Sequence, residues 1–375
     1  MSEKGSENRE TGPLPGLVLA LVLVAGLISG LSSLLSPQGG ALLKRATLAD
    51  VAAGRTTGEL SRLLNDDLLA GATLAQAARA IDWLAVGDLG AAVRRGCDGW
   101  LFLREELEIH ADPAQAMARR ADLVARVATQ LRARGIGLVI AVAPDKSRIE
   151  SRHLCGLARP AILDDRLAGF NALLTARGVE TADLAAALRP LDGERYYRTD
   201  THWNERGARA AAQAIATRLV SSGRAPPRAG EATLTPGAPV ERIGDLIRLA
   251  GLGDVPAGFR PAGDVAASTN IVQPSLGGDD LLGDAPGPPV VMIGSSFSRN
   301  ANFIGFLAAA LGVPVGDMAR DGAGFDGAAR AYFANAAFRD TPPAIVIWEI
   351  PERVIDAPAA AAEQSWDGDL AAKAP

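Results

Sequence analysis

The chain has 375 residues, 48% hydrophobic and 22% charged, with a net charge of −5, so it can hold one large domain or two small ones around a real core. No basic run and no aromatic–basic interleaving appears, which argues against a nucleic-acid partner, because phosphates call for a basic surface.

Residues 1–13 read as a polar N-terminal tail, and residues 14–36 as an apolar span. Within that span, Gly16 to Leu35 is twenty residues without a charge. As a helix it would be ~30 Å long, the thickness of the hydrocarbon core of a bilayer. Glycines and Ser29, Ser32 and Ser33 interrupt it, and a membrane helix tolerates both types. The expectation is a retained transmembrane anchor. A cleaved secretory signal is the alternative, although no A-x-A pattern follows the run, and a buried core helix is a third reading. Lys4 and Arg9 precede the span, while Lys44, Arg45 and Arg55 follow it, a slight lean toward a cytoplasmic C-terminus. Large domains translocate regardless of such small biases, so charge counting leaves orientation open.

Residues 37–92 alternate apolar and polar positions at helical spacing and predict one to three short helices linking the span to the main domain. The main domain is expected over residues 93–356. It opens with RRGCDGWLFL, a turn signal followed by an apolar strand. AMARRADLVARVATQLRARG is an amphipathic helix closed by Gly135, and IGLVIAVAP after it reads as a buried parallel strand. The unit then repeats: a helix ending at Gly178, the short strand VETADL, and the helix ERGARAAAQAIATRLVSSG with Asn204 as its candidate cap. A Pro/Gly-rich stretch at about 223–289 has little periodicity and reads as an insertion or a small β-rich excursion. The strand PVVMIGSS, the helix NFIGFLAAALG, the strand VPVGDMA, the helix GAARAYFANAA and the strand PAIVIWEIP complete the pattern. Helices alternating with short apolar strands predict an α/β domain with a mostly parallel sheet covered on both faces. Residues 357–375 are Ala-rich and polar, expected to be a flexible tail.

Cys97 and Cys155 would pair in an oxidising compartment or stay as buried thiols in a reducing one. Without a C-x-x-C or a Cys/His cluster, neither a metal site nor a cofactor is expected.

Two polar clusters carry candidate chemistry. Gly294-Ser295-Ser296-Phe297-Ser298 follows an apolar strand at the entry to a helix, where backbone N–H groups favour a developing oxyanion. By position alone, a turn with hydroxyl helix caps is the commoner reading of these serines. The second cluster is YYRTDTHWNERGA, which holds Asp200 and His202 just before a helix. A serine hydroxyl needs a base near neutrality, usually a histidine oriented by a carboxylate. Of three histidines, His110 and His153 sit among charged, exposed-looking neighbours, which leaves His202. Together the clusters suggest a Ser/His/Asp triad.

DGWLFL (98–103), APDKSRI (143–149), RTDTHWNERGA (198–208), IGSSFS (293–298) and IWEIPERVI (347–355) together resemble the SGNH-hydrolase-like domain of alginate O-acetyltransferases of the AlgX/AlgJ type. The resemblance implies a three-layer α/β domain. It implies Ser296, the third position of the family's G-D/T-S-F/Y-S pattern, as nucleophile, with His202 as base and Asp200 as orienting acid. Ser295 stands where relatives often have Asp or Thr, which keeps Ser295 open as an alternative nucleophile. The implied activity is acetyl transfer through an acyl-serine onto hydroxyls of an alginate-like exopolysaccharide. An esterase of the same fold and a non-catalytic polysaccharide-binding scaffold are the alternatives. The resemblance also implies a membrane-embedded acyltransferase partner that supplies the acetyl donor, and a catalytic domain in the periplasm, held at the bacterial inner membrane. Gly-rich DGAGFDG (321–327) is a candidate second oxyanion donor or a plain turn. Lys146 and Arg148 follow a strand end, as anion-binding residues or as solvated charges, and Glu349 and Glu352 read as structural.

Overall fold

The computed structural model describes residues 14–67, 71–276, 287–366, 368 and 370. The polar tail expected over 1–13 and the residues from 371 onward lie outside that set. The chain folds as two compact units, Met1–Gly87 and Asp88–Pro375.

In the first unit the apolar run forms one 22-residue helix, Leu14–Leu35, with Leu17, Leu21, Leu27 and Ile28 exposed. Among the described residues, no helix is long and apolar enough to cross a membrane, so the expected transmembrane helix is not supported by the structure itself. Among the described residues four helices rather than one to three follow: Pro37–Arg45, Leu48–Ala52, Arg55–Asp67 and Gly71–Val86. The breaks are local. Ser36 caps one helix, and Thr47 and Asp50 form a reciprocal capping box at the start of the next.

The second unit is built on a five-stranded, all-parallel sheet. Its strands follow a small antiparallel hairpin of β1 (Val93–Arg95) and β2 (Leu101–Leu103). The apolar LFL segment is therefore a strand, but it pairs only within that hairpin. The sheet contains β3 (Gly137–Ala143) and β4 (Glu180–Ala182). A second hairpin, β5 (Thr233–Arg242) with β6 (Asp264–Val272), lies outside it and occupies the stretch read as an excursion. The sheet is completed by β7 (Val290–Ile293), β8 (Val315–Asp317) and β9 (Ile345–Pro351), in the order β4-β3-β9-β7-β8. Successive strand residues face opposite sides, and β7 and β9 are buried at every position, so both faces are covered. The helices Pro113–Ala133, Arg166–Ala176, Glu205–Ser221 and Phe303–Leu311 supply most of that cover. Gly135 and Gly178 follow their helices with positive φ, at the expected stops.

Two long-range ties close the unit. Cys97 and Cys155 are disulfide-bonded, with Cα atoms 5.7 Å apart. Of the segment expected to be a flexible tail, the described residues 357–366, 368 and 370 dock on the helix Pro113–Ala133. Arg120 makes a two-pronged pair with Glu363 at 2.7 and 2.8 Å and donates to the Ala357 carbonyl. Trp366 lies 6.4 Å from Trp348, and Leu370 is buried. The helix Ala361–Ser365 buries none of its own residues, so the contact rests on the Glu363 ion pair and on Trp366 and Leu370.

Candidate active site

In a parallel sheet the carboxyl ends of the strands share one edge, where open α/β folds gather their functional groups. β3, β9 and β7 are neighbours, so Asp145–Arg148, Glu349–Glu352 and Gly294–Ser298 converge there.

The serine corner begins at Gly294, where an added Cβ would lie 2.6 Å from Glu349 Oε2 and 2.7 Å from Ser298 Oγ. Glycine is needed for this close approach, since Gly294 is not among the positive-φ residues. Ser295 then caps the short helix Ser296–Arg299 by accepting from Phe297 N at 3.1 Å. The buried Glu349 carboxylate accepts from Ser295 N at 2.7 Å, from Ser295 Oγ at 2.9 Å and from Ser298 Oγ at 3.0 Å. Burial pushes the Glu349 carboxyl up, and the bonds from Ser295 and Ser298 oppose it. Ser295 is thus turned inward. Ser296 Oγ is turned toward His202 Nε2, at 2.7 Å.

His202 sits on a buried loop rather than on a regular element. Its Nδ1 is 2.6 Å from Asp200 Oδ1, which also accepts from His202 N at 3.0 Å. An ionised carboxylate can only accept, so Nδ1 carries the proton of the neutral ring and Nε2 presents its lone pair to Ser296. Asp200 Oδ2 accepts from Arg242 Nη2 at 2.7 Å and from Asp245 N at 3.1 Å. Burial raises the Asp200 carboxyl, but the bonds and charges of His202 and Arg242 outweigh it and hold the group well below 3.8. Asp245 is pushed up, first by burial and then by the Asp200 charge. The ring of Phe297 packs edge-on against His202 at 4.9 Å and fixes its outer face.

All three residues singled out in the sequence, Asp200, His202 and Ser296, are therefore brought together. Lys146 is buried and Arg148 half-buried, and both are held by groups of the protein itself. Lys146 is fully buried, with Nζ donating to the carbonyls of Leu101, Arg198 and Asp200 at 2.6, 2.9 and 2.9 Å. Burial pulls its ammonium down to about 8, against the raising pull of Glu106, Asp264, Asp200 and Asp245. Arg148 pairs with both oxygens of buried Glu352 at 2.8 and 2.6 Å. His153 is half-buried, stacked on Trp100 at 4.0 Å. The glycine-rich 321–327 loop runs beside the corner, where Arg320 N donates to Gly294 O at 2.9 Å.

Sequence reasoning missed Arg242, Asp245 and Asp264, all from the hairpin excursion. Asp264 accepts from the backbone N–H groups of Arg198 and Thr199 at 2.9 and 3.0 Å. The one usable signal was a run of charged residues in a stretch without periodicity, which gave no hint of its destination.

Residues 93–352 match the family described as SGNH hydrolase-like domain, acetyltransferase AlgX. The probable alginate O-acetylase AlgJ of Pseudomonas aeruginosa is 32% identical over 291 residues, 74% of this chain and 73% of that protein. Its counterpart in Pseudomonas syringae pv. tomato is 33% identical over 289 residues, with the same coverage of 74% and 73%. Among solved structures, the O-acetyltransferase domain of Pseudomonas putida AlgJ matches with a TM-score of 0.65 at 29% identity, covering 74% of this chain and 98% of that one. Pseudomonas aeruginosa AlgX matches with a TM-score of 0.52 at 22% identity over 69% of this chain and 61% of that one, a likeness of fold. The chain belongs to the AlgX family of SGNH hydrolase-like acetyltransferase domains.

Proposed function

We propose that this chain is a serine O-acetyltransferase, anchored at the bacterial inner membrane, that acetylates hydroxyls of an alginate-like exopolysaccharide in the periplasm. The observation that carries the reading is the Ser296–His202–Asp200 relay, with contacts of 2.7 and 2.6 Å. Kinship with proteins named alginate O-acetylase supports the substrate class. The disulfide fits an oxidising compartment, and the uncharged Leu14–Leu35 helix with its exposed leucines fits an anchor.

In the first half-reaction His202 Nε2 takes the Ser296 proton while Oγ attacks the acetyl carbonyl. Asp200 holds the ring and balances the imidazolium that forms. The tetrahedral oxyanion faces the Ser296 N–H, with the 321–327 loop as the second source of donors. Collapse releases the donor's leaving group, protonated by His202, and leaves acetyl-Ser296. A sugar hydroxyl, deprotonated by the same nitrogen, then takes the acetyl group and restores the serine. The donor side is served by a membrane-embedded acyltransferase partner.

The test supplies an acetyl ester with and without an acidic oligosaccharide. Acetylated sugar as product supports the proposal, whereas hydrolysis indifferent to the acceptor identifies an esterase instead. Ser296→Ala and His202→Ala should each cut turnover by about a thousandfold or more in a protein that still melts cooperatively. Activity retained in both variants rules the relay out. Wild-type protein inert toward every donor points to a polysaccharide-binding scaffold.

A further inference from the structure

The segment Arg242–Asp245 lies against the Asp200–His202 loop so closely that its own backbone forms part of the wall. A Cβ on Gly244 would lie 2.0 Å from Thr199 O and 2.7 Å from Asp200 N. Two opposite charges flank this glycine: the cation is aimed at Asp200, the histidine's carboxylate partner, and the carboxylate at Thr201 and the His202 ring. Arg242 takes the outer oxygen of Asp200 at 2.7 Å, stacks 4.4 Å over the Tyr197 ring, and reaches Asn300 Oδ1 at 3.4 Å. Asn300 in turn donates to Ser296 O at 2.9 Å. Asp245 gives its N–H to the same Asp200 oxygen and accepts Thr201 N and Oγ1 on Oδ1 at 2.7 and 3.1 Å. Its other oxygen is 3.6 Å from His202 Nδ1.

Resting on the relay proposed above, we infer that Arg242 and Asp245 are positioning residues that set the proton affinity of His202 from opposite sides. The cation draws on the negative charge of Asp200 and disfavours the imidazolium, while the second carboxylate favours it. Both act through His202. The remaining charged and titratable groups around the ring belong to other elements. Lys146 holds the Asp200 carbonyl, Asp264 holds the Arg198 and Thr199 amides, and Tyr197 donates its N–H to His202 O. Glu349 lies beneath Ser295, and Arg353 lies 5.8 Å from the Phe297 ring that packs on His202. All of these stay constant when Arg242 or Asp245 is replaced.

The full-length chain in detergent, labelled with nitrogen-15 histidine, gives three ring systems to follow by NMR. Asp245→Asn keeps Oδ1 for Thr201 and removes the charge. It should lower the midpoint of the His202 ring titration by about one pH unit. Arg242→Gln should raise that midpoint by about half a unit or more, and Arg242→Lys should leave it near wild type. The acidic limb of kcat/KM with an acetyl-ester donor should move in the same opposite senses. Midpoints that stay put, or move together, in variants that still melt cooperatively would overturn the inference. If Arg242→Gln does not fold, Asp245→Asn alone decides, since a midpoint that fails to fall is enough to reject it. Opposite ring shifts in a protein without acyl turnover would refute the acetyltransferase reading and leave this inference standing.

Discussion

The two sides of the site are built in different ways. The Ser296 corner is placed by regular structure: a buried strand, a glycine and one helical turn, with its polar groups answered by Ser295 and by Glu349 from the adjacent strand. The Asp200–His202 loop has no regular element, yet Thr199, Asp200, Thr201 and His202 are all buried. A buried loop must find partners for its backbone away from any ladder. Here they come from distant segments: Lys146 for the carbonyls, Asp264 and Asp245 for the amides, and Glu150 for Arg195 N at 2.6 Å. Sheet geometry holds one half of the relay, and buried charges hold the other.

That contrast can be broken most forcefully at Lys146. Lys146→Met removes the donor to three carbonyls at once, and the expected loss is about 3 kcal/mol of stability, read from chemical denaturation. Hydrogen exchange should show amides at 196–204 losing protection while those at 290–298 keep it. Equal loss in both would mean that the corner and the loop are one cooperative unit, and the contrast would fail. Asp200→Asn is the next largest perturbation, at about 2 kcal/mol at neutral pH, because it removes the charged acceptor of His202 and Arg242. Its pH dependence has a definite sign. The folded state holds Asp200 below 3.8, so its contribution is present above that pH and lost as pH falls through the folded value. The stability gap between wild type and variant should therefore narrow below about pH 4 in acid denaturation. A gap that widens on acidification would show that the carboxylate is not stabilised by its surroundings.

The same division explains what was legible in the sequence. Helix and strand periodicity located the sheet strands and the main helices because each buries a regular face, and the Gly-Ser-Ser turn was visible from its place after a strand. Asp200 and His202 could be read as a motif, but their supports could not. Arg242 and Asp245 lie 42 and 45 residues from Asp200, at the end of an exposed strand and at the start of the short helix Asp245–Leu249 that follows it. Lys146 and Arg148 read as ligand-facing or solvated in the sequence because composition says nothing about burial. It was the carbonyls of Leu101, Arg198 and Asp200 that gave the lysine a buried place. The docked tail was missed for a related reason: its anchor, Arg120, lies 243 residues from Glu363.

The mildest expected perturbation is also the one that separates two neighbouring hydroxyls. Ser295 and Ser296 were both open as the reactive residue. The geometry gives them different work, since Ser295 Oγ faces Glu349 and Phe297 N while Ser296 Oγ faces His202. Ser295→Ala loses a cap and one bond to a buried carboxylate, worth about 1 kcal/mol. Glu349 keeps the Ser295 N–H and the Ser298 hydroxyl, so the corner should remain in place and kcat should fall by less than about tenfold. Because the variant leaves His202 and Asp200 untouched, the acidic limb of its pH profile should match wild type. A collapse as deep as that expected for Ser296→Ala, with melting unchanged, would move the reactive hydroxyl to Ser295. The corner would then have to turn outward in the working state, and it too would be a movable element rather than one fixed by the sheet.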